Sequence, residues 1–152
     1  MTTSVSAEPA RSPGVAELLR LSDEFTFALY PAESCYLLDV SELERPGVTV
    51  FVGRDEGGEA LGMAALVQRG DGTAELKRMF VHPDARGRGL AAGLLGAVER
   101  EAVRAGVAAL QLETGPLQHA AIALYESRGY ARIPNFGEYV GDPHSVCYAK
   151  DL

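Results

Sequence analysis

Residues 73–114 limit the possible folds more than any other part of the chain. Thr73–Val81 reads as a strand, and Gly89–Ala105 carries Leu90, Leu94, Leu95, Val98 and Ala102 on one helical stripe, with Glu99, Arg100, Glu101 and Arg104 off it. Gly106 stops that helix, and Val107–Thr114 reads as a buried strand. Strand, helix and strand in immediate succession make a βαβ crossover, because parallel neighbours need a connection long enough to return over the sheet.

The crossover is appended to a meander. Val48–Arg54, Glu59–Gln68 and Thr73–Val81 read as strands, joined by the turns Asp55-Glu56-Gly57-Gly58 and Gly70-Asp71-Gly72. Before it, Pro13 opens a helix with Val15, Leu18, Leu19, Ser22, Phe25 and Leu29 at helical spacing, and Pro31 stops it. A short helical turn follows at Ser41–Arg45. After the crossover, Gln118–Arg128 reads as a helix closed by Gly129, and Tyr130–Pro134 and Ser145–Lys150 as final strands around an irregular loop. Residues 1–12 are small, polar and Pro-containing and read as a disordered leader, which leaves 13–152 as a single domain.

Composition bounds the partners. With 14 basic and 21 acidic residues the formal net charge is -7, which argues against a nucleic-acid partner held by bulk electrostatics. No apolar run approaches the ~20 residues of a membrane span, and the N-terminus lacks a signal pattern, so the expected location is the cytoplasm, without membrane association. Cys35 and Cys147 fit no metal or redox spacing, and His82, His119 and His144 have no ligand spacing, so no metal is expected.

The loop between strand and helix carries chemistry. His82-Pro83-Asp84-Ala85-Arg86-Gly87-Arg88-Gly89 is a Gly-rich turn into a helix N-terminus, where free backbone N–H groups and the positive end of the helix dipole suit a phosphate. Gly87 and Gly89 allow close backbone approach, and Arg86 and Arg88 can add charge-assisted bonds. The same glycines also serve a plain turn with solvated arginines. Gly87-x-Gly89-x-x-Ala92 matches a dinucleotide fingerprint, with Glu113 near the place of its ribose-binding acid. Five residues, His82 to Arg86, separate this first glycine from the strand, and a Walker Gly-Lys-Ser/Thr is absent.

Arg86-x-x-Gly89-x-Ala91 resembles the Q/R-x-x-G-x-G/A signature of the GNAT N-acetyltransferases. Residues 118–130, QHAAIALYESRGY, are similar to the family's second signature helix, A-x-x-L-Y-E-x-x-G-F/Y, in the family's order and spacing. The resemblance covers about residues 48–150. It implies a mixed α/β (α+β) fold, the GNAT acyl-CoA N-acyltransferase fold, with an antiparallel meander, a βαβ unit and a splayed central sheet. It implies an enzyme that moves the acetyl group of acetyl-CoA to a primary amine through a ternary complex. Met79, Phe80 and Val81 would pair with the pantetheine arm, and Gly87, Arg88, Gly89, Leu90, Ala91 and Ala92 would cradle the pyrophosphate with Arg86 beside them. Gln118 stands where many members have Asn.

Tyr125 takes the place of the tyrosine that protonates the departing thiolate; Ala121, Leu124 and Tyr125 also share a stripe that suits a core role. An alkylamine of pKa ~10.4 must lose a proton before it attacks, at roughly 4.6 kcal/mol at pH 7. Glu75 aligns with the base of histone-type members, Glu113 with that of enzymes acting on ribosomal-protein termini, and many members use water alone. The acceptor would meet two loops with aromatics beside a carboxylate: Tyr30 and Tyr36 with Glu33, and Phe136 and Tyr139 with Glu138. The expected acceptor is a small-molecule amine, with an antibiotic, a metabolite amine, an amino acid and a protein terminus all left open by the sequence. Family members are often homodimers, and the richness in Ala, Gly and Arg points to a bacterial source. A non-catalytic acyl-CoA-binding module would retain residues 86–92 without needing Tyr125, and a nicotinamide-nucleotide protein is the remaining alternative.

Overall fold

The computed structural model describes residues 2–152. Among them the helices are α1 (Val15–Leu29), α2 (Val40–Leu43), α3 (Leu90–Arg104) and α4 (His119–Ser127). The strands are β1 (Thr3–Ala7), β2 (Val48–Asp55), β3 (Ala60–Gln68), β4 (Thr73–Val81), β5 (Ala109–Thr114), β6 (Ala131–Ile133) and β7 (Val146–Asp151). They form one mixed sheet in the order β1-β2-β3-β4-β5-β7-β6, with β4–β5 parallel and the other pairs antiparallel. The expected mixed α/β architecture, a meander leading into a crossover, is the one observed. β7 rather than β6 lies against β5: Val146, Cys147 and Tyr148 are buried, whereas Ala131 and Arg132 are exposed and suit an edge.

The disordered leader is corrected. Thr3–Ala7 forms β1, paired from Thr3↔Asp55 to Ala7↔Phe51. The pairing is made by backbone groups, which a polar composition does not reveal. The Arg54 guanidinium donates to both Glu8 carboxylate oxygens at 2.9 and 2.7 Å and holds that carboxyl below its ordinary pKa.

Each face of the sheet carries a core. On one, the α3 stripe Leu90, Leu94, Leu95, Val98 and Ala102 is wholly buried and joins Leu76, Leu110, Leu112 and Tyr125. On the other, Val15, Leu18 and Leu19 of α1 meet Val50, Val52, Met63, Ala65 and Phe80. Phe25, expected on the buried stripe of α1, is instead 37% exposed and faces a groove.

Two features set the position of the loop at 86–92. Gly53 and Gly62 are cross-strand partners in β2 and β3, and Leu90, the first residue of α3, seats its side chain on that pair. A Cβ at Gly53 would stand 2.6 Å from Leu90 Cδ1; one at Gly62 would lie 3.0 Å from the Phe80 carbonyl oxygen and 3.1 Å from both Leu90 and Leu94. The absent side chains let the helix N-terminus settle onto the sheet. The second feature is a bulge in β4: Met63 pairs with Phe80 and Ala65 with Lys77, so Arg78 and Met79 together oppose Ala64. Arg78 has φ 57°, the one positive value at a non-glycine among the described residues. The extra residue reverses the alternation of β4. Leu76 faces the α3 core, whereas Phe80 faces α1, and Met79 and Val81 take over the α3 side.

Gly62→Ala is expected to cost roughly 1–3 kcal/mol in urea unfolding through overpacking, and to weaken CoA binding by lifting the α3 N-terminus. Calorimetric titration of CoA onto the folded variant checks the second effect.

Candidate active site

β4 and β5 pair from Thr73↔Ala109 to Leu76↔Leu112, and there the ladder ends. Beyond it β4 turns at the Arg78 bulge, and its outer part, Lys77–Val81, keeps β3 on one side and has no strand on the other. The sheet is thus split at the C-terminal ends of its two parallel strands, where α/β sheets place their ligands. The Arg78 side chain, 4% exposed, holds the bulge by donating to the Leu38 carbonyl (2.9 Å), Asp23 Oδ1 (2.6 Å) and Ser22 Oγ (3.3 Å).

A groove of about 580 Å³ runs from the split to the start of α3. Its walls include Met79, Phe80, Val81, Arg86, Gly87, Gly89, Leu90, Ala91, Ala92, Gln118 and Tyr125, which brings together every expected cofactor-binding residue except Arg88. Arg88 is exposed on the loop. Gly87 and Gly89 have φ 79° and 77°, values that favour glycine, and a Cβ on either would point into open space. The first helical bond of α3 is Gly93 N–H to the Gly89 carbonyl, and no side chain caps the helix. The N–H groups of Leu90, Ala91 and Ala92 therefore face the groove without a backbone acceptor among the described residues, with the positive helix end behind them. These donors fit a pyrophosphate, and the unpaired side of Met79–Val81 fits an extended amide-bearing arm. Arg86 lies 5.6 Å from the centre of the Phe25 ring, and Phe25 and Leu117 form the apolar lips of the groove. The amphipathic pattern of α1 had placed Phe25 in the core, and nothing in it marked a groove. Gln118 lines the groove while its side-chain oxygen accepts from Gly115 N–H (3.0 Å) and the Thr114 hydroxyl (3.3 Å), so it also holds the turn into α4.

At the split the groove meets a smaller cavity of about 100 Å³, and Met79, Gln118, Ala121 and Tyr125 line both. Tyr125 is 4% exposed, and burial followed by the Glu113 charge raises its pKa, so the phenol keeps its proton. Its hydroxyl has no hydrogen-bond partner among the described residues. Glu113 lines the cavity from β5. Burial pushes its carboxyl up to about 7; the Ser145 hydroxyl, donating at 2.7 Å, and the Lys77 charge pull the other way. Glu75 lies outside this cavity. Its carboxylate accepts from Arg69 and from the Tyr139 hydroxyl, each at 2.5 Å, with Lys77 at 3.7 Å, so its oxygens are committed to an ionic network.

The expected acceptor residues divide. Tyr30 and Tyr36 line the small cavity. Tyr139, with Phe136, lines a separate cleft of about 540 Å³ on the same sheet face, and Glu33 is exposed and lines neither. The two loops are tied through Asp142, which accepts from the Tyr36 hydroxyl (2.6 Å), the Ser34 hydroxyl (3.1 Å) and His144 N–H (2.8 Å). The Tyr30 hydroxyl accepts from Leu117 N–H (3.0 Å), and a Cβ at Gly115 would overlap the Tyr30 ring, so the α1 end and the turn before α4 pack with no room between them. Sequence reasoning missed Ser34, Lys77, Arg78 and His144 as cavity residues. Lys77 was legible as the same-face neighbour of Glu75 on β4; Arg78 depends on the bulge in that strand, and Ser34 and His144 on contacts between distant loops.

The comparisons agree with this geometry. Residues 15–130 match the family model for the acetyltransferase (GNAT) family. The IAA acetyltransferase of Azospirillum brasilense is 40% identical over 149 residues, which is 97% of each chain. The uncharacterised N-acetyltransferase YsnE of Bacillus subtilis is 34% identical over 80% of this chain and 82% of its own. Among solved structures, a Klebsiella pneumoniae protein assigned to the acyl-CoA N-acyltransferases superposes with a TM-score of 0.84 at 32% identity, over 99% of this chain and 98% of that one. PaiA N-acetyltransferase of Thermoplasma acidophilum, solved in complex with coenzyme A, shares the fold with a TM-score of 0.79 at 16% identity over the whole of both chains. With its split sheet, its donor-lined loop and this match over most of its length, the chain belongs to the GNAT acetyltransferase family.

Proposed function

We propose that the protein transfers an acetyl group from acetyl-CoA directly to the primary amine of a small-molecule acceptor, with both substrates bound together. The observation that carries this reading is the meeting of groove and cavity at Tyr125, with Glu113 reaching the cavity from the neighbouring strand. Acetyl-CoA, when bound, supplies a thioester carbonyl open to attack. Gly87 to Ala92 would hold the phosphates, and Met79–Val81 would align the arm along the groove toward the split. Fixing two reactants in one geometry is worth up to about 7–11 kcal/mol of barrier.

Glu113 is the base in this reading and Glu75 is not. A carboxyl near pKa 7 can accept a proton from an ammonium group and still lose it to solvent, whereas Glu75 has its oxygens engaged by Arg69, Tyr139 and Lys77. Tyr125 holds a proton at its hydroxyl and delivers it to the departing sulfur. A buried Cys147, whose thiol is pushed up by burial, offers no thiolate for a covalent route. The polar cavity wall, with Ser34, Tyr36, Lys77 and His144, supports a polar acceptor.

The first test is consumption of acetyl-CoA against a panel of amines, with IAA included because the Azospirillum relative carries it in its name. Turnover with an amine and a mass increase of one acetyl group on it are expected. Tyr125→Phe should lower kcat by about 10²-fold or more and leave acetyl-CoA binding intact; unchanged kcat would remove the tyrosine from the reaction. In Glu113→Gln, the rise of kcat/KM with pH that levels off near 7 should vanish, which a pH–rate profile reads directly.

Glu113 also predicts a pH dependence of stability. Its folded pKa of about 7 lies above the ordinary value, so the native state holds this proton more tightly than the unfolded chain. The contribution to stability is full below the unfolded pKa near 4.3 and is lost as pH rises through about 7. Urea midpoints at pH 5 and pH 8 should differ more for the wild type than for Glu113→Gln, with the wild type falling further at pH 8.

A further inference from the structure

The small cavity and the outer cleft lie side by side on one face of the sheet. Lys77 lines both spaces. Tyr36 lines the small cavity, Tyr139 lines the outer cleft, and their rings meet edge to face with centroids 4.8 Å apart. Tyr139 is 2% exposed and is locked in place: its hydroxyl accepts from Lys77 Nζ at 2.7 Å and donates to Glu75 at 2.5 Å, and Phe136 packs against its ring with centroids 5.2 Å apart. The inner space is about 100 Å³ and the outer about 540 Å³. A cavity of about 150 Å³ accepts benzene, so the inner space takes on the order of four heavy atoms.

We infer that Tyr139 sets the specificity of the acceptor cavity from behind its wall: by packing against Tyr36 and holding Lys77 it keeps the inner space small, confines the amine-bearing end of the acceptor to a compact polar group, and excludes amines that carry a ring next to the nitrogen. The ring backs the wall by occupying volume, and the Glu75–Lys77 pair keeps it from swinging aside. This role also explains the ionic network around Glu75, which holds Tyr139 rather than the reacting proton. Removing the ring would take the support from behind Tyr36 and Lys77 and let the inner space extend toward the outer cleft, which Phe136 and the Arg69 guanidinium, stacked 5.0 Å from the Phe136 ring centre, line. Steric exclusion of this kind discriminates by the clash it builds against the wrong ligand.

The inference rests on the amine-acceptor reading and is tested so that the two fail separately. The wild type, Tyr139→Phe and Tyr139→Ala are compared on 2-aminoethanol and glycinamide, as compact amines, and on benzylamine and cyclohexylamine, as bulky ones. The quantity read is the ratio of kcat/KM for compact over bulky amines. Both values come from one preparation, so any loss of folded protein cancels. The wild type should favour compact amines at least tenfold, Tyr139→Phe, which keeps the ring but not its bonds to Lys77 and Glu75, should lose less of that preference than Tyr139→Ala, and Tyr139→Ala should reduce it at least tenfold. Tyr139→Leu, which retains an apolar filler, covers the case in which the alanine variant does not fold. The same amines are titrated calorimetrically onto each protein saturated with CoA, so selectivity is read even without turnover. Equal use or equal binding of compact and bulky amines by the wild type, or a ratio unchanged in both the alanine and leucine variants, overturns the inference. Selective binding of compact amines without acetylation upholds the role of Tyr139 and overturns the amine-transfer reading instead.

Discussion

The site exists because the one parallel ladder of the sheet stops after four residue pairs. A fully paired β4 and β5 would leave no edge for an extended ligand arm and no cavity beside it. The bulge at Arg78 is the device that ends the pairing. A non-glycine residue at φ 57° costs of order 1–3 kcal/mol, and the surrounding structure supplies what holds it. The buried guanidinium donates to Ser22 and Asp23 of α1 and to the Leu38 carbonyl, bonds that would be lost if the bulge straightened. The same bonds anchor α1 and the loop after it over the cavity, so the strain in the strand and the roof of the site have one cause.

Two further constraints act from a distance. The paired glycines Gly53 and Gly62 let α3 rest on the sheet through Leu90, which aims the helix N-terminus and its free N–H groups at the end of the groove. Asp142 ties the loop at Ser34 and Tyr36 to the loop at His144. The residues that line groove and cavity thus come largely from loops and strand ends, while packed helices and paired strands hold them in position.

The two glutamates show how environment divides like residues. Glu75 and Glu113 lie on neighbouring strands and on the same face, near the same lysine. Glu75 has two cations and a phenol on its oxygens; Glu113 has one hydroxyl and a desolvated surround. Arg69, Tyr139 and Lys77 occupy the oxygens of the first, and burial pushes the second up to about 7. Their alternation along β4 and β5 placed both on one face, but only the third dimension supplied the neighbours that separate their chemistry.

From the sequence alone follow the order of the elements from α1 onward, the meander and crossover, the Gly-rich strand-to-helix loop at 86–92 and the family that the two motifs identify. These depend on local spacing: apolar residues at helical or alternating intervals, glycines at turns, and a strand-to-helix junction within a dozen residues. The pairing of Thr3–Ala7, the bulge at Arg78, the separation of Glu113 from Glu75, and the division of the aromatic loops between cavity and outer cleft were decided by tertiary structure. Each of these joins groups far apart in the chain, as Tyr36 to Asp142 or Glu75 to Tyr139. Burial, charge pairing and free volume are properties of such meetings and of no single segment.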